Sequence, residues 1–168
     1  MSKKREALLT SAERLFYENG FHSIGIKRVH EEADVSLMTL YNHFQSKEEL
    51  ILEVLKKREQ RYFELLETNS PTTTIVSIAT AHLDWLQSHQ NGCLFLRAKE
   101  EFPEKNHLIY QYVINHKNHL ISFIERCGYS AKESFRLALL LEGATAMSEI
   151  HDTNEVREET LSIIRTLF

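Results

Sequence analysis

The apolar positions of this chain recur every three or four residues, which is the period of an amphipathic helix and not of a strand. The few glycines and prolines punctuate that pattern. The sequence therefore predicts an all-α fold of about nine helices. They are expected over residues 3–19, 25–33, 36–44, 46–67, 71–90, 93–101, 106–126, 131–150 and 155–167.

Polar residues at capping spacing indicate where several helices start. Ser46 with Glu49, and Ser130 with Glu133, have the capping-box spacing, in which the two residues satisfy each other's backbone N–H groups. The stretch 68–71 is the clearest break, because its serine suits an N-cap and its proline suits the first position of the next helix.

Two short helices joined by a tight turn are predicted at residues 25–33 and 36–44. Val35, Leu40 and Phe44 share a face whose spacing suits burial. The opposite face of the second helix is expected to be exposed, and it mixes apolar tips with hydrogen-bonding groups. This is the helix-turn-helix arrangement, and its second helix is narrow enough to enter the major groove of DNA.

The helix predicted at 131–150 is apolar nearly all round at residues 137–141, so it has to be covered on more than one side. One face can pack on the core, and a second copy of the chain is the simplest cover for the other. The alternative is that this helix lies at the centre of a larger bundle. The expected dimer contacts are Leu137, Leu140, Ala144, Met147, Leu161, Ile164 and Phe168.

Charge is distributed unevenly along the 168 residues. The net charge of −4 argues weakly against a nucleic-acid partner. However, residues 1–58 hold 10 Lys and Arg against 9 Asp and Glu, whereas residues 59–168 hold 10 against 15. The N-terminal segment is therefore the part suited to meet phosphate.

The composition also bears on the compartment. No apolar run reaches the ~18 residues of a membrane span, and no signal-peptide pattern follows the basic N-terminus. Cys93 and Cys127 are the two cysteines, which fits a reducing environment better than a disulfide framework. We therefore expect a cytoplasmic protein without a membrane partner.

Residues 5–58 resemble the DNA-binding domain of the TetR/AcrR family of bacterial transcriptional regulators, with matching order and spacing and no gap. A looser resemblance continues at residues 92–95, 101–103, 116–117 and 141–144. The matching residues of the first segment are Ala12, Leu15, Phe16, Gly20, Phe21, Gly25, Ile26, Val29, Ala33, Val35, Ser36, Thr39, Leu40, Tyr41, His43, Phe44 and residues 46–50.

The resemblance implies a homodimeric transcriptional regulator, expected to be a repressor. Residues 1–46 would form a three-helix helix-turn-helix domain that binds a palindromic double-stranded DNA operator. Residues 47–168, entered by a connecting helix at 47–67, would form a helical ligand-binding and dimerisation domain. The resemblance implies a small-molecule effector of unknown identity and no cofactor.

Three departures from the family pattern concern the DNA-binding segment. Asp34 stands where the turn usually has glycine, and Asp tolerates a left-handed backbone better than most residues. Ile-Gly at 24–25 replaces a Thr-Ser pair that donates to phosphate, so neighbouring groups or backbone N–H groups would have to substitute. Glu31 and Glu32 would repel phosphate, and we predict that they face away from DNA.

By position, Leu37, Met38 and Thr39 are expected to reach base edges, the first two through apolar contact with thymine methyl groups. The other side chains are expected to hold the phosphate backbone, which sets the register. The alternatives are packing for Tyr41 and helix capping for His43. The full predicted set is Lys27, Ser36, Leu37, Met38, Thr39, Tyr41, Asn42, His43 and Lys47.

Aromatic side chains with a few polar tips in the C-terminal half suit a small-molecule pocket, although a plain aromatic core is the alternative. His116 and His119 are three residues apart, but no Cys/His cluster supports a metal site. The cysteines are interpreted as small buried hydrophobes away from basic clusters, and less readily as a redox pair. The pocket candidates are His82, Trp85, Phe95, Phe102, Tyr112, His116 and Glu142.

Two other function classes remain open from the sequence. An enzyme would need a glycine-rich phosphate loop, a nucleophile with its base or a metal cluster, and the sequence has none of these motifs, so no catalytic residue is predicted. A protein-interaction bundle whose N-terminal segment no longer binds specific DNA is favoured slightly by the acidic pair and the net charge.

Overall fold

The structure is a computed structural model that describes residues 2–68 and 73–168. All regular structure in these two stretches is helical, which confirms the predicted fold class, and none of their helices is long and apolar enough to cross a membrane. The nine helices found there are α1 (Lys3–Asn19), α2 (Ile26–Glu32), α3 (Leu37–His43), α4 (Lys47–Thr68), α5 (Ile75–Ser88), α6 (Leu94–Glu101), α7 (Leu108–Arg126), α8 (Ala131–Met147) and α9 (Thr153–Leu167).

The described residues divide into two compact units. The first, called the head unit below, contains the residues up to Glu59 together with Leu94–Val113. In it α2 and α3 pack on α1. Burial of one stripe from each short helix stabilises this arrangement, since Phe16, Val29 and Leu40 have no exposed surface.

The second unit contains the described residues of Gln60–Cys93 and Ile114–Phe168. Its helices α5, α8 and α9 pack on one another. Ile78, Leu137 and Leu141 are completely buried in its core. The functional boundary at residue 46 is a different division of the chain and stays a prediction.

The capping predictions have mixed outcomes. At α8 the Glu133 N–H donates to Ser130 Oγ at 3.3 Å, and the Glu133 carboxylate accepts from the Ser130 N–H at 2.9 Å, so this capping box is confirmed. At α4 the Glu49 N–H donates to Ser46 Oγ at 3.0 Å, but the Glu49 carboxylate accepts from the N–H of Gln45, one residue earlier than predicted, at 2.6 Å.

Helix boundaries are the least accurate part of the sequence prediction. α5 begins at Ile75, because Thr74 and Ser77 form its capping box, and the cap predicted at residues 70–71 lies outside the described residues. α8 ends at Met147, before the predicted end at residue 150, and α9 follows the N-cap Asp152.

Candidate functional site

The turn between α2 and α3 adopts the backbone conformation that its sequence predicted. Asp34 has φ = 50°, and it is the one non-glycine residue in the described stretches with a positive φ. The turn is closed by His30, whose carbonyl accepts from the Val35 N–H at 3.0 Å and whose Nδ1 donates to the Val35 carbonyl at 3.1 Å. The helix-turn-helix therefore forms without glycine at this position.

Helix α3 exposes apolar side chains to solvent because its other face is buried in the core. Leu40 and Phe44 are buried in the head unit, so the side chain of Met38 points outward and is 77% exposed. Leu37 and Tyr41 are exposed as well. Exposed apolar side chains on a short helix have no role in the core of this unit, which makes them candidates for contact with a partner.

The hydroxyl groups at the start of α3 are arranged by the helix cap. Ser36 Oγ accepts from the Thr39 N–H at 3.2 Å and lies 2.9 Å from Thr39 Oγ1. Ser36 thus has a structural role as the N-cap in addition to its predicted contact with DNA. Because the two hydroxyls are held together, Thr39 presents its oxygen in a fixed position.

The remaining predicted DNA contacts also belong to the head unit. Lys27 and Asn42 are exposed, and the His43 ring lies 6.3 Å from the Phe44 ring. Lys47 is half-buried at the start of α4. Burial lowers the pKa of Lys47, and attraction to the Glu101 carboxylate opposes that shift.

The acidic pair on α2 is balanced by cations of the same unit. Glu32 pairs with Arg14 and also with Arg28, whose Nη2 lies 3.3 Å away. Glu31 Oε1 lies 3.9 Å from Lys27 Nζ. Exposed pairs of this kind stabilise the fold by less than about 1 kcal/mol each, but they offset the negative charge that phosphate would meet.

Among the pocket candidates, His82 is a buried residue whose ring is held by contacts inside the second unit. The residue is 5% exposed. Its Nδ1 accepts from the Tyr62 hydroxyl at 2.7 Å, and its Nε2 lies 3.1 Å from the Leu141 carbonyl and 3.0 Å from Thr145 Oγ1. Both ring nitrogens are therefore engaged inside the second unit. Burial lowers the pKa of His82 to about 4, so the ring is neutral at pH 7.

Acid is expected to destabilise the second unit through His82. The unfolded ring titrates near 6.5 and the folded ring near 4, so the unfolded state binds the extra proton between these values and the free energy of unfolding falls by about 3 kcal/mol as the pH drops through that window. Urea unfolding between pH 7.5 and 4.5 measures this. His82→Gln should flatten the dependence, whereas His151→Gln, at an exposed site, should leave it unchanged; an equally steep curve for His82→Gln contradicts the assignment.

Glu142, the polar residue of the apolar helix α8, has a cation as its partner. Both carboxylate oxygens accept from Lys117 Nζ, at 2.7 and 2.8 Å. Lys117 Nζ also lies 3.6 Å from Cys93 Sγ, which places one basic group beside this cysteine; the prediction concerned a cluster of basic groups. Burial alone would lower the pKa of Lys117, but attraction to Cys93 and Glu142 outweighs it and raises the pKa.

The other pocket candidates fall in both compact units. In the second unit the Trp85 ring stacks on His89 at 3.9 Å, and His116 is buried. Phe95, Phe102 and Tyr112 belong to the head unit instead. There the Tyr112 hydroxyl donates to Glu59, and the Phe102 ring lies 6.2 Å from Phe21. Burial raises the pKa of Tyr112. Within residues 2–68 and 73–168 no group of three or more His, Cys, Asp or Glu is arranged to hold a metal.

Helices α8 and α9 form a groove with an apolar surface. Leu139 on α8 is 64% exposed and lines this groove together with Ile163 of α9. Leu137 and Ile164 have no exposed surface, so these two residues are removed from the predicted interface. Between α8 and the end of α9, the exposed apolar residues absent from the predicted interface are Phe135, Leu139, Ile150, Ile163 and Leu167.

The fold and the exposed α3 define a helix-turn-helix protein with a helical C-terminal half. Residues 8–54 match the model of the family described as bacterial regulatory proteins, tetR family. The structure of SCO4454, a TetR-family transcriptional regulator from Streptomyces coelicolor, superposes with a TM-score of 0.87 at 29% identity, covering 95% of this chain and 90% of that one. The chain is therefore similar to TetR-family regulators, through the family model at residues 8–54 and through the structure of SCO4454 over nearly its whole length.

Two curated relatives match over shorter stretches. The transcriptional regulator UidR of Escherichia coli K12 is 40% identical over 57 residues, which are 34% of this chain and 29% of UidR. The transcriptional activator FasR of Mycolicibacterium smegmatis is 35% identical over 95 residues, 54% of this chain and 43% of FasR. The matched part of this chain thus spans less than half the length of these two relatives.

Proposed function

We propose that the protein regulates transcription by binding double-stranded DNA through α3. The observation that carries the proposal is the exposure of Leu37 and Met38 beside the fixed hydroxyl of Thr39, on a helix whose opposite face is buried. An α-helix fits the major groove, where apolar tips can contact thymine methyl groups and a hydroxyl can donate or accept. The similarity of residues 8–54 to the tetR family model supports the same function.

Phosphate contacts are assigned to cations and polar groups around α3. Lys27 is exposed, and Lys47 stands in the first turn of α4, where the helix N-terminus adds its own positive end. The other proposed phosphate contacts are the last three residues of α3, which are Tyr41, Asn42 and His43. These contacts would hold the head unit on any duplex, while the residues at positions 37–39 would select the sequence.

The protein is proposed to act as a homodimer through the apolar groove of α8 and α9. A dimer with two-fold symmetry reads a palindrome, and its two recognition helices stand about 34–36 Å apart, one turn of DNA, or a multiple of that distance. We propose repression as the outcome, because a bound dimer excludes other proteins from the same DNA without any further surface.

Response to a small-molecule effector, without any cofactor, is the last part of the proposal. Polar groups inside the second unit support it, in particular the Lys117–Glu142 pair with its 2.7 Å contact. Release of operator DNA by a compound that also changes Trp85 fluorescence would identify such an effector. Because its target is bacterial DNA, we expect the regulator to work in the cytoplasm.

Binding to the DNA next to the protein's own gene, followed at several salt concentrations, tests the proposed function. Lys47→Ala is expected to weaken binding to the operator and to unrelated duplex by similar factors. It should reduce the slope of log affinity against log salt by about one for each head. Lys132→Ala, which removes an exposed lysine of α8, is the matched control. An unchanged affinity and salt slope for Lys47→Ala would exclude the assigned phosphate contact.

A further inference from the structure

The loop between α1 and α2 is held by one carboxylate of α6. Glu101 Oε1 accepts from the backbone N–H of Phe21 at 2.9 Å, and Glu101 Oε2 accepts from the N–H of His22 at 2.5 Å. The His22 side chain also contacts the backbone of Glu101, since its Nε2 lies 2.6 Å from the Glu101 carbonyl oxygen. Charge-assisted hydrogen bonds to consecutive amides are stronger and more directional than neutral ones.

A second residue of α6 holds the end of α1 with the opposite polarity. Arg97 Nη1 donates to the carbonyl oxygen of Tyr17 at 2.6 Å. Arg97 and Glu101 are four residues apart and therefore lie on the same face of α6. One face of α6 thus offers a donor to the last turn of α1 and an acceptor to the amides that follow it.

Gly20 allows the carboxylate to come this close to the backbone. Its φ is +85°, and a Cβ at this position would lie 2.8 Å from Glu101 Oε1. A side chain at residue 20 would therefore strain the backbone and displace the carboxylate. The resemblance to the family accounts for a glycine at the end of α1, but nothing in it explains this contact.

The loop held by Glu101 leads directly into the DNA-binding part of the head unit. Phe21 is completely buried, with its ring 5.2 Å from Phe16 of α1 and 6.2 Å from Phe102. Helix α2 begins only four residues after His22, at Ile26, and α2 packs on α3. A shift of this loop would therefore change the angle at which α2 and α3 leave α1.

We propose that the Glu101 carboxylate is a positioning group for DNA recognition, which fixes the orientation of α3 by holding the amides of Phe21 and His22. The inference rests on the proposed function, because it assigns a role in binding DNA. Glu101 itself makes no contact with DNA in this proposal. Its negative charge alone would weaken DNA binding, since it partly offsets the positive charge of Lys47.

Glu101→Gln separates the two effects of this residue. The amide keeps one acceptor oxygen but presents an NH₂ group to the other backbone N–H, so one hydrogen bond is lost while the size is unchanged. The electrostatic effect predicts tighter binding after loss of the negative charge. The positioning role predicts the opposite, about tenfold weaker operator binding and a smaller ratio of operator affinity to affinity for unrelated duplex.

The experiment measures that ratio at one salt concentration, together with hydrogen exchange of the Phe21 and His22 amides. Glu100→Gln, an exposed neighbour on α6, is the matched control and should leave the ratio and both exchange rates unchanged. Weaker and less selective binding with faster exchange in Glu101→Gln supports the inference. Tighter or unchanged operator binding overturns it, and so does faster exchange at an unchanged ratio, which would mean a structural role only.

The same measurements distinguish this inference from the proposed function. If the unsubstituted protein shows no preference for its operator, the proposed function fails and the positioning role fails with it. If the unsubstituted protein and Glu100→Gln both prefer the operator while Glu101→Gln behaves identically, the proposed function stands and only the role of Glu101 is excluded.

Discussion

Replacement of Leu139 by Glu is expected to convert the proposed dimer into monomers and to lower the affinity for a palindromic operator at least about a hundredfold. Leu139 is 64% exposed in the α8–α9 groove, so the substitution should not unfold the chain. In a dimer, however, the carboxylate would be buried in an apolar interface without a partner, at a cost of several kcal/mol. Two separate heads also lose the gain in affinity that comes from being linked.

Sedimentation and operator binding together measure this effect. Leu108→Glu is the matched control, because it introduces the same charge at a leucine that is 71% exposed in the head unit, and it should remain dimeric with unchanged operator affinity. A Leu139→Glu protein that sediments as a dimer would rule out this groove as the interface.

Replacement of Met38 by Glu is expected to abolish operator binding, with a loss of about a hundredfold or more, while stability stays unchanged. The side chain is 77% exposed on α3, so no core packing is lost. A carboxylate at this position would enter the major groove close to phosphate, and like charges brought together in an interface cost several kcal/mol. The loss also includes the proposed apolar contact with a thymine methyl group.

The milder Met38→Ala should change which operator bases are preferred more than it changes the overall affinity. Val76→Glu, an exposed apolar residue in the first turn of α5, controls for the added negative charge. Fluorescence anisotropy with operator and single-base variants gives both quantities. Retention of full operator affinity by Met38→Glu would exclude α3 as the recognition helix.

The helix-turn-helix part of the head unit could be predicted from the sequence because its signals are local. The exposure of Met38 follows from the buried spacing of Leu40 and Phe44, and the left-handed backbone at Asp34 follows from the resemblance, which puts the usual glycine of the turn at this position. Both depend on residues within one or two helical turns. Glu101 could not be found in this way, since its partners are 79 and 80 residues away in the sequence.

The second unit was harder to predict because its strongest hydrophobic pattern, on α8, does not distinguish a buried side from an exposed one. A helix that is apolar all round does not indicate which residues face the core, so the sequence prediction places the buried Leu137 in the dimer interface and omits the exposed Leu139. The spacing of Phe135, Leu139 and Met147 by multiples of four was the available signal. Aromatic content likewise marks a packed region, but does not assign Phe102 to one unit and Trp85 to the other.

Trp85 is the single tryptophan of the chain, and it lies in the second unit with its ring stacked on His89. Its emission therefore monitors melting of that half alone, without any attached dye, whereas circular dichroism registers every helix. If heating gives the same midpoint by both signals, the two units unfold in one cooperative transition. If the midpoints differ, each unit unfolds at its own temperature, and the order of the tryptophan and circular dichroism midpoints tells which unit unfolds first.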